Sequence, residues 1–243
     1  MVIPNFKHMF TGIVRDAPVI AAIINGKNDY FMISGSSVRV RDLRSGYFRF
    51  IINAEEDIER LTKNILPELD RVIAVDEGYE KNWRILFPDA NFRHFRLTVL
   101  TRDMFNPLPD IKLPEEMQTV HIDESWEPLI LELCEDEEFS ADDLRCQLRE
   151  NLSLGLMHRG ERIGFMSTHL NGETGPLWIA PEYRSGNLGT AFLRDYFCEY
   201  LKSNAVAFAL SEPENHATAR IMEKLGFRIW DKYVLLITRA LGA

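Results

Sequence analysis

The alternation of apolar and polar positions changes period repeatedly along this chain, and each change marks a new element. Residues 17–25 fit a short helix. Three runs follow, at 30–34, 37–42 and 47–52, in which aromatic and β-branched residues cluster between the turn signals Gly35-Ser36 and Ser45-Gly46. They predict an antiparallel meander. Across 54–69, Ile58, Leu61, Ile65 and Leu69 recur at helical spacing with charged residues between them, which predicts a helix. A second helix is expected at 77–87 and a strand at 92–101. Between 103 and 116 the periodicity fades while Pro107, Pro109 and Pro114 accumulate, as in a linker between packing units.

Beyond that linker the pattern predicts a strand at 118–122 and helices at 125–135 and 140–151. A hairpin of 153–158 with 161–169 turns at Gly160. A strand at 175–180, a helix at 188–202, a strand at 205–210 and a helix at 217–225 come next, and strands at 228–231 and 233–238 close the series. The expected class is α/β (α+β), with a smaller N-terminal α/β domain of unassigned role at 1–112 and a second domain at 113–243. No internal repeat stands out.

Composition narrows the function classes. The net charge of −9 and a pI near 5.2 argue against nucleic acid as a partner, because phosphate neutralisation needs an excess of lysine and arginine. An acidic surface favours cationic partners instead. Cys134, Cys146 and Cys198 are odd in number and widely spaced, fitting neither a disulfide framework nor zinc-ligand pairs, so no metal is expected. No basic leader with a following apolar run opens the sequence, and no stretch approaches the roughly 18 apolar residues of a membrane span. A soluble, cytoplasmic protein without a membrane partner is expected.

The segment richest in chemistry runs from Ile179 to Leu193 and joins an apolar strand to an amphipathic helix through Arg184-Ser185-Gly186-Asn187-Leu188-Gly189-Thr190. Such a turn exposes consecutive backbone N–H groups at a helix N-terminus, where they bind pyrophosphate with help from the helix dipole. A plain strand-to-helix loop is the competing reading. The turn is neither a P-loop nor a dinucleotide fingerprint.

Ile179, Pro181, Tyr183 and Arg184, followed by Leu188-Gly189, resemble the acyl-CoA-binding motif of the GCN5-related N-acetyltransferase (GNAT) superfamily, written Val-x-Pro-x-Tyr-Arg and then Gln/Arg-x-x-Gly-x-Gly/Ala. Asn187 stands where that family has glycine, and Gly186 comes one position early. Downstream, Asn215, Ala219 and Glu223-Lys224-Leu225-Gly226-Phe227 resemble the block that ends such domains. The nearest flavour is the FR47-like branch, which includes glycine N-acyltransferase relatives.

The resemblance implies a central mixed, mostly antiparallel sheet flanked by helices in the C-terminal domain, and acetyl-CoA or another acyl-CoA as the cofactor. It implies that Leu177, Trp178 and Ile179 pair with the pantetheine arm, one N–H stabilising the oxyanion. Arg184, Ser185, Gly186, Asn187, Leu188, Gly189 and Thr190 would surround the pyrophosphate, and Asn215 would add a further contact. A primary amine of a small molecule or amino acid would attack the thioester directly after losing a proton. Glu173 is the first candidate for the base and His169 the second, against the reading of both as ordinary turn or strand-end residues. Met222 occupies the place of the usual tyrosine acid, with Ser211 and Tyr233 as alternative donors.

Ten acidic residues and no lysine or arginine lie between Asp123 and Asp143. They are either a solvated face or an acidic wall that attracts a cationic amine. The N-terminal half either completes the acceptor pocket or forms a homodimer. An acyltransferase, a non-catalytic acyl-CoA-binding or regulatory module, and an interaction protein on an inherited fold are the three functional readings.

Overall fold

The structure is a computed structural model that describes residues 13–24, 28–42, 46–63, 71–74, 76–134, 141–184 and 186–239. In the first half, helix α1 (Ile13–Ile24) precedes strands β1 (Asn28–Ser34), β2 (Ser37–Asp42) and β3 (Phe48–Ile51), the expected antiparallel meander. Helix α2 (Glu56–Thr62), strand β4 (Arg71–Ala74), helix α3 (Glu80–Leu86) and strand β5 (Ala90–Thr101) follow. The helix expected over 54–69 is described only to Thr62, since 64–70 lie outside the described residues. Strand β4 was not expected: four residues carry too little alternation to register as a strand.

The second half contains β6 (Met117–His121), α4 (Glu127–Leu133), α5 (Ala141–Glu150), β7 (Leu154–His158), β8 (Glu161–Thr168), β9 (Thr174–Ile179), α6 (Leu188–Ser203), β10 (Val206–Ser211), α7 (His216–Lys224) and β11 (Arg228–Arg239). The two closing strands expected at 228–231 and 233–238 are one strand. An irregularity in its register between Ile229 and Tyr233 breaks the alternation that sequence reading relies on.

A helix, three strands, a helix, a strand, a helix and a long strand occur in that order in both halves, with β5 and β11 each 12 residues long. The halves nevertheless exchange these long strands. One sheet has the order β1-β2-β3-β4-β11-β5-β10, so β4 of the first half pairs with β11 of the second, and β10 of the second pairs with β5 of the first. The other sheet is β6-β7-β8-β9. Every pairing is antiparallel except β3 with β4.

Alternation in the shared sheet sends Phe48 and Phe50 to a cluster with α2 and α3, and Val99, Phe208 and Val234 to the face covered by α1. Ala207 and Ala209 face the opposite way, into the cluster formed by α6 and α7 with Phe192, Phe197 and Met222. The proline-containing linker is fastened to the end of α7. Asn106 N–H donates to Leu225 O at 2.9 Å, and Gly226, at φ +93°, lets Met104 O approach to within 2.1 Å of where a Cβ would stand. The left-handed backbone and this close approach both require glycine there.

Candidate active site

In the first half β3 lies directly against β4, with Phe48 opposite Val72 and Phe50 opposite Ala74. In the second half the corresponding strands, β9 and β10, belong to different sheets and separate. Side chains hold them apart at the narrow end: Glu173 Oε1 accepts from Leu210 N–H at 3.3 Å, and Thr174 Oγ1 donates to Phe208 O at 2.9 Å. Backbone groups of β10 are thus satisfied without β9 backbone, and the strands diverge beyond that point.

Ala180 N–H donates to Ile163 O at 2.8 Å. By the alternation of an antiparallel ladder, Trp178 N–H also faces β8, while the N–H groups of Leu177 and Ile179 turn into the gap. The Trp178 ring stacks on Phe165 at 6.1 Å and joins the α4–α5 cluster, away from the gap.

A cavity of about 400 Å³ occupies the divergence. Leu177, Asn215, Thr218 and Met222 line it on the α7 side, and Tyr47, Phe95 and Leu236 come from the face covered by α1. It therefore passes through the sheet, and both halves of the chain build it. Arg93 at its rim pairs with Glu212 at 2.6 Å and lies 4.9 Å over the Phe95 ring.

Glu173 and His169 both line the cavity, at the two ends of a tight loop in which His169 N–H donates to Glu173 O and Gly172 N–H donates to His169 O, each at 2.8 Å. Burial pushes the His169 imidazole from 6.5 down to about 4, so near neutral pH it is uncharged and only weakly basic. That favours Glu173 over His169 as a proton acceptor.

Met222 is buried and lines the cavity where a tyrosine acid was missing. Ser211 also lines it, and its Oγ is buried with no hydrogen-bond partner among the described residues. A buried hydroxyl of this kind calls for a partner such as an ordered water or a bound molecule. Tyr233 is 38% exposed and packs edge-on to His94, outside the cavity lining.

The glycine turn lies past the end of β9. Arg184 Nε folds back to donate to Ile179 O at 2.6 Å. Gly186 is exposed at φ +62°, with open space where a Cβ would project. Ser185 lies outside the described residues. Asn187 caps α6 without a side-chain bond to its first turn, and no acidic residue occupies that turn. The leading N–H groups of a 16-residue helix are therefore left for an anion. Leu188 and Thr190 are buried and anchor the helix start, and Gly189 has Ile221 Cδ1 3.2 Å from where a Cβ would sit. Asn215 Oδ1 caps α7 by accepting from Thr218 N–H at 3.1 Å.

The acidic helices are partly neutralised by arginines that follow them. Arg145 pairs with Glu127 at 2.7 Å and Asp142 at 2.8 Å, and Arg149 lies 3.6 Å from Glu124. Asp143 faces the cavity. Residues 135–140 lie outside the described residues. Among the described residues no cluster of metal-ligating side chains occurs, and no helix is long and apolar enough to cross a membrane.

Residues 118–227 match the Acetyltransferase (GNAT) family. No curated protein matches the sequence. Among solved structures, the chain is similar to a Drosophila protein (TM-score 0.69, 13% identity, covering 98% of this chain and 91% of that one). It is also similar to a GCN5-related N-acetyltransferase from Kribbella flavida (TM-score 0.62, 9% identity, covering 96% and 98%). A tandem GNAT protein from the clavulanic acid biosynthesis pathway gives a TM-score of 0.52 at 13% identity, covering 94% and 89%. At these identities the likeness is one of fold.

Proposed function

We propose, from the match of residues 118–227 to the Acetyltransferase (GNAT) family, that the protein is a GNAT-type N-acyltransferase moving an acyl group, with acetyl the first choice, from acyl-CoA to a primary amine. Within the superfamily we place it in the FR47-like branch on the motifs at Ile179–Gly189 and Asn215–Phe227. The observation that carries the reading is the side-chain-wedged gap between β9 and β10, with its through-going cavity and, at one end, a helix start that has no side-chain bond from Asn187 and no acid in its first turn.

The residues present fit an acyl-CoA. Open space at Gly186 and the first N–H groups of α6 suit a pyrophosphate, and the N–H groups of Leu177 and Ile179 suit the extended arm. When bound, acyl-CoA supplies a thioester carbonyl whose carbon bonds the amine nitrogen as its bond to sulfur breaks. Leu177 or Ile179 N–H steadies charge on the carbonyl oxygen. Glu173 takes the ammonium proton, directly or through one water. Ser211 Oγ–H donates to the departing sulfur; a thiol of pKa near 8.5 leaves as a thiolate, so a hydrogen bond suffices where tyrosine is replaced by Met222.

The amine enters from the face to which Tyr47 and Phe95 contribute, so the N-terminal region, 1–112, completes the acceptor pocket. Asp143 and Glu173 favour a cationic acceptor. The test begins with thermal unfolding: acetyl-CoA at ~100 times its dissociation constant adds about 2.7 kcal/mol to stability. Free thiol released with a panel of cationic and neutral amines then reports transfer. Binding without thiol release on any amine assigns the alternative role of a non-catalytic acyl-CoA-binding module.

A further inference from the structure

We infer that Arg49, in the first half of the chain, is a positioning residue that sets the loop 169–173 and thereby the place of Glu173. This inference rests on the acyl-transfer reading. The Arg49 side chain has no solvent exposure, and neither does Asp42, its partner at 2.9 Å. Removing two charges from water costs several kcal/mol each, a cost that apolar residues of similar size would avoid. What a guanidinium offers in return is a rigid fork of directed donors.

Those donors reach three elements. Nε donates to Asp42 Oδ2 of β2 at 3.0 Å, Nη1 donates to Pro18 O of α1 at 2.8 Å, and Nη2 donates to Asn171 O, 122 residues away in sequence. The Phe208 ring centroid of β10 lies 4.9 Å from the guanidinium carbon, in cation–π contact. Asn171 is itself buried and passes the constraint on: its Oδ1 accepts from Glu173 N–H at 2.8 Å. Asn151 Nδ2 secures the other side of the loop by donating to Thr168 O and His169 O at 3.2 and 3.1 Å. Arg49 is thus two hydrogen bonds from the backbone of the proposed base.

Its location explains why the first half serves this purpose. Arg49 is opposite Ile73 in the closed β3–β4 pair, the counterpart of the pair that opens in the second half. The side chain that points from the closed strands is aimed at the other half's loop.

The experiment measures kcat and KM for the amine, the acyl-CoA dissociation constant and the unfolding temperature for the full chain and for Arg49→Lys, Arg49→Met and Asn171→Ala. Displacing a catalytic group by about 1 Å costs up to ~100-fold in rate. We expect kcat to fall by roughly tenfold to a hundredfold in Asn171→Ala and Arg49→Met, with Arg49→Lys retaining more activity than Arg49→Met. Acyl-CoA affinity should stay within about threefold, since that site lies at the far end of the gap. A kcat unchanged in folded Asn171→Ala overturns the inference, as does a loss that merely follows the folded fraction. Should Arg49→Met not fold, Asn171→Ala, which keeps the buried ion pair, decides. If the unaltered protein binds acyl-CoA but releases no thiol with any amine, the acyl-transfer reading fails instead, and the two failures are told apart by the parent protein alone.

Discussion

The two halves lay down the same succession of elements, yet their third strands meet different surroundings. After β3 the chain enters a helix of seven residues whose first turn carries Glu56, Asp57 and Glu59. Asp57 is buried and accepts from Ser34 Oγ at 2.8 Å and Ser37 Oγ at 2.7 Å. A carboxylate of the protein's own, held by these two hydroxyls, thus stands in the first turn of α2, where negative charge is favoured. After β9 the chain instead reaches a 16-residue helix with no acid in its first turn. Paired strands with an internal carboxylate suit a scaffold, and separated strands with an acid-free helix start suit the proposed acyl-CoA cleft. One acyl-CoA per chain, by calorimetric titration, is therefore the expected stoichiometry; two would break the comparison.

The largest effect should come from Glu173→Gln, which keeps an oxygen to accept from Leu210 N–H and so preserves the wedge while removing the base. We expect kcat to fall by ~10²- to 10⁴-fold with acyl-CoA affinity unchanged. A fall in affinity instead would make Glu173 a spacer rather than a base.

Next comes a pH effect on stability confined to the second half. The folded-state pKa of His169 is depressed to about 4 from 6.5, so the unfolded chain binds a proton that the folded chain refuses between those values. Stability from this group is whole above pH 6.5 and declines as pH falls towards 4, by at most about 3 kcal/mol. Denaturant unfolding at pH 7 and pH 4.5 should show that decline in the unaltered protein and a smaller one in His169→Gln.

A bulky residue at Gly189 meets Ile221 and Ile179, and overpacking of this kind costs about 1–3 kcal/mol. Gly189→Leu should weaken acyl-CoA binding by roughly tenfold or more in titration, whereas a folded variant of unaltered affinity would detach the turn from the cofactor. Asp57→Ala should lower stability by about 1–3 kcal/mol through the two stranded hydroxyls without altering acyl-CoA affinity. Ser211→Ala should slow turnover by roughly tenfold and leave stability unchanged, since no hydrogen bond among the described residues is lost.

Much of the second half was legible because its signals are local. The alternation at 154–168, the proline-punctuated turn before Leu188 and the glycine after Leu225 each act within a few residues. Sequence left open whether the two mixed α and β halves are diverged relatives, because equivalent elements are built from different apolar residues and burial asks only for hydrophobicity and size. Strand exchange could not be read at all, since β5 and β11 look like strands whichever half they join. Arg49 shows the same limit at one residue: in Phe48-Arg49-Phe50 it reads as the exposed side of an alternating strand, yet it is buried because Asp42 and Asn171 come to meet it. Glu173 and His169 were named as base candidates by chain position and both line the cavity, but the neutrality of His169 depends on burial that sequence does not display.

The exchange of β5 and β11 also bears on how the chain is made. During synthesis β4 emerges long before β11, its neighbour in the finished sheet, and until Arg239 has left the ribosome the β4 edge has no strand to pair with. The first half must wait, with unpaired backbone exposed, for more than 150 further residues to appear. Pairings between such distant segments form slowly and leave open edges prone to association, so chaperone assistance should raise the yield of folded protein, as refolding with and without chaperone would check.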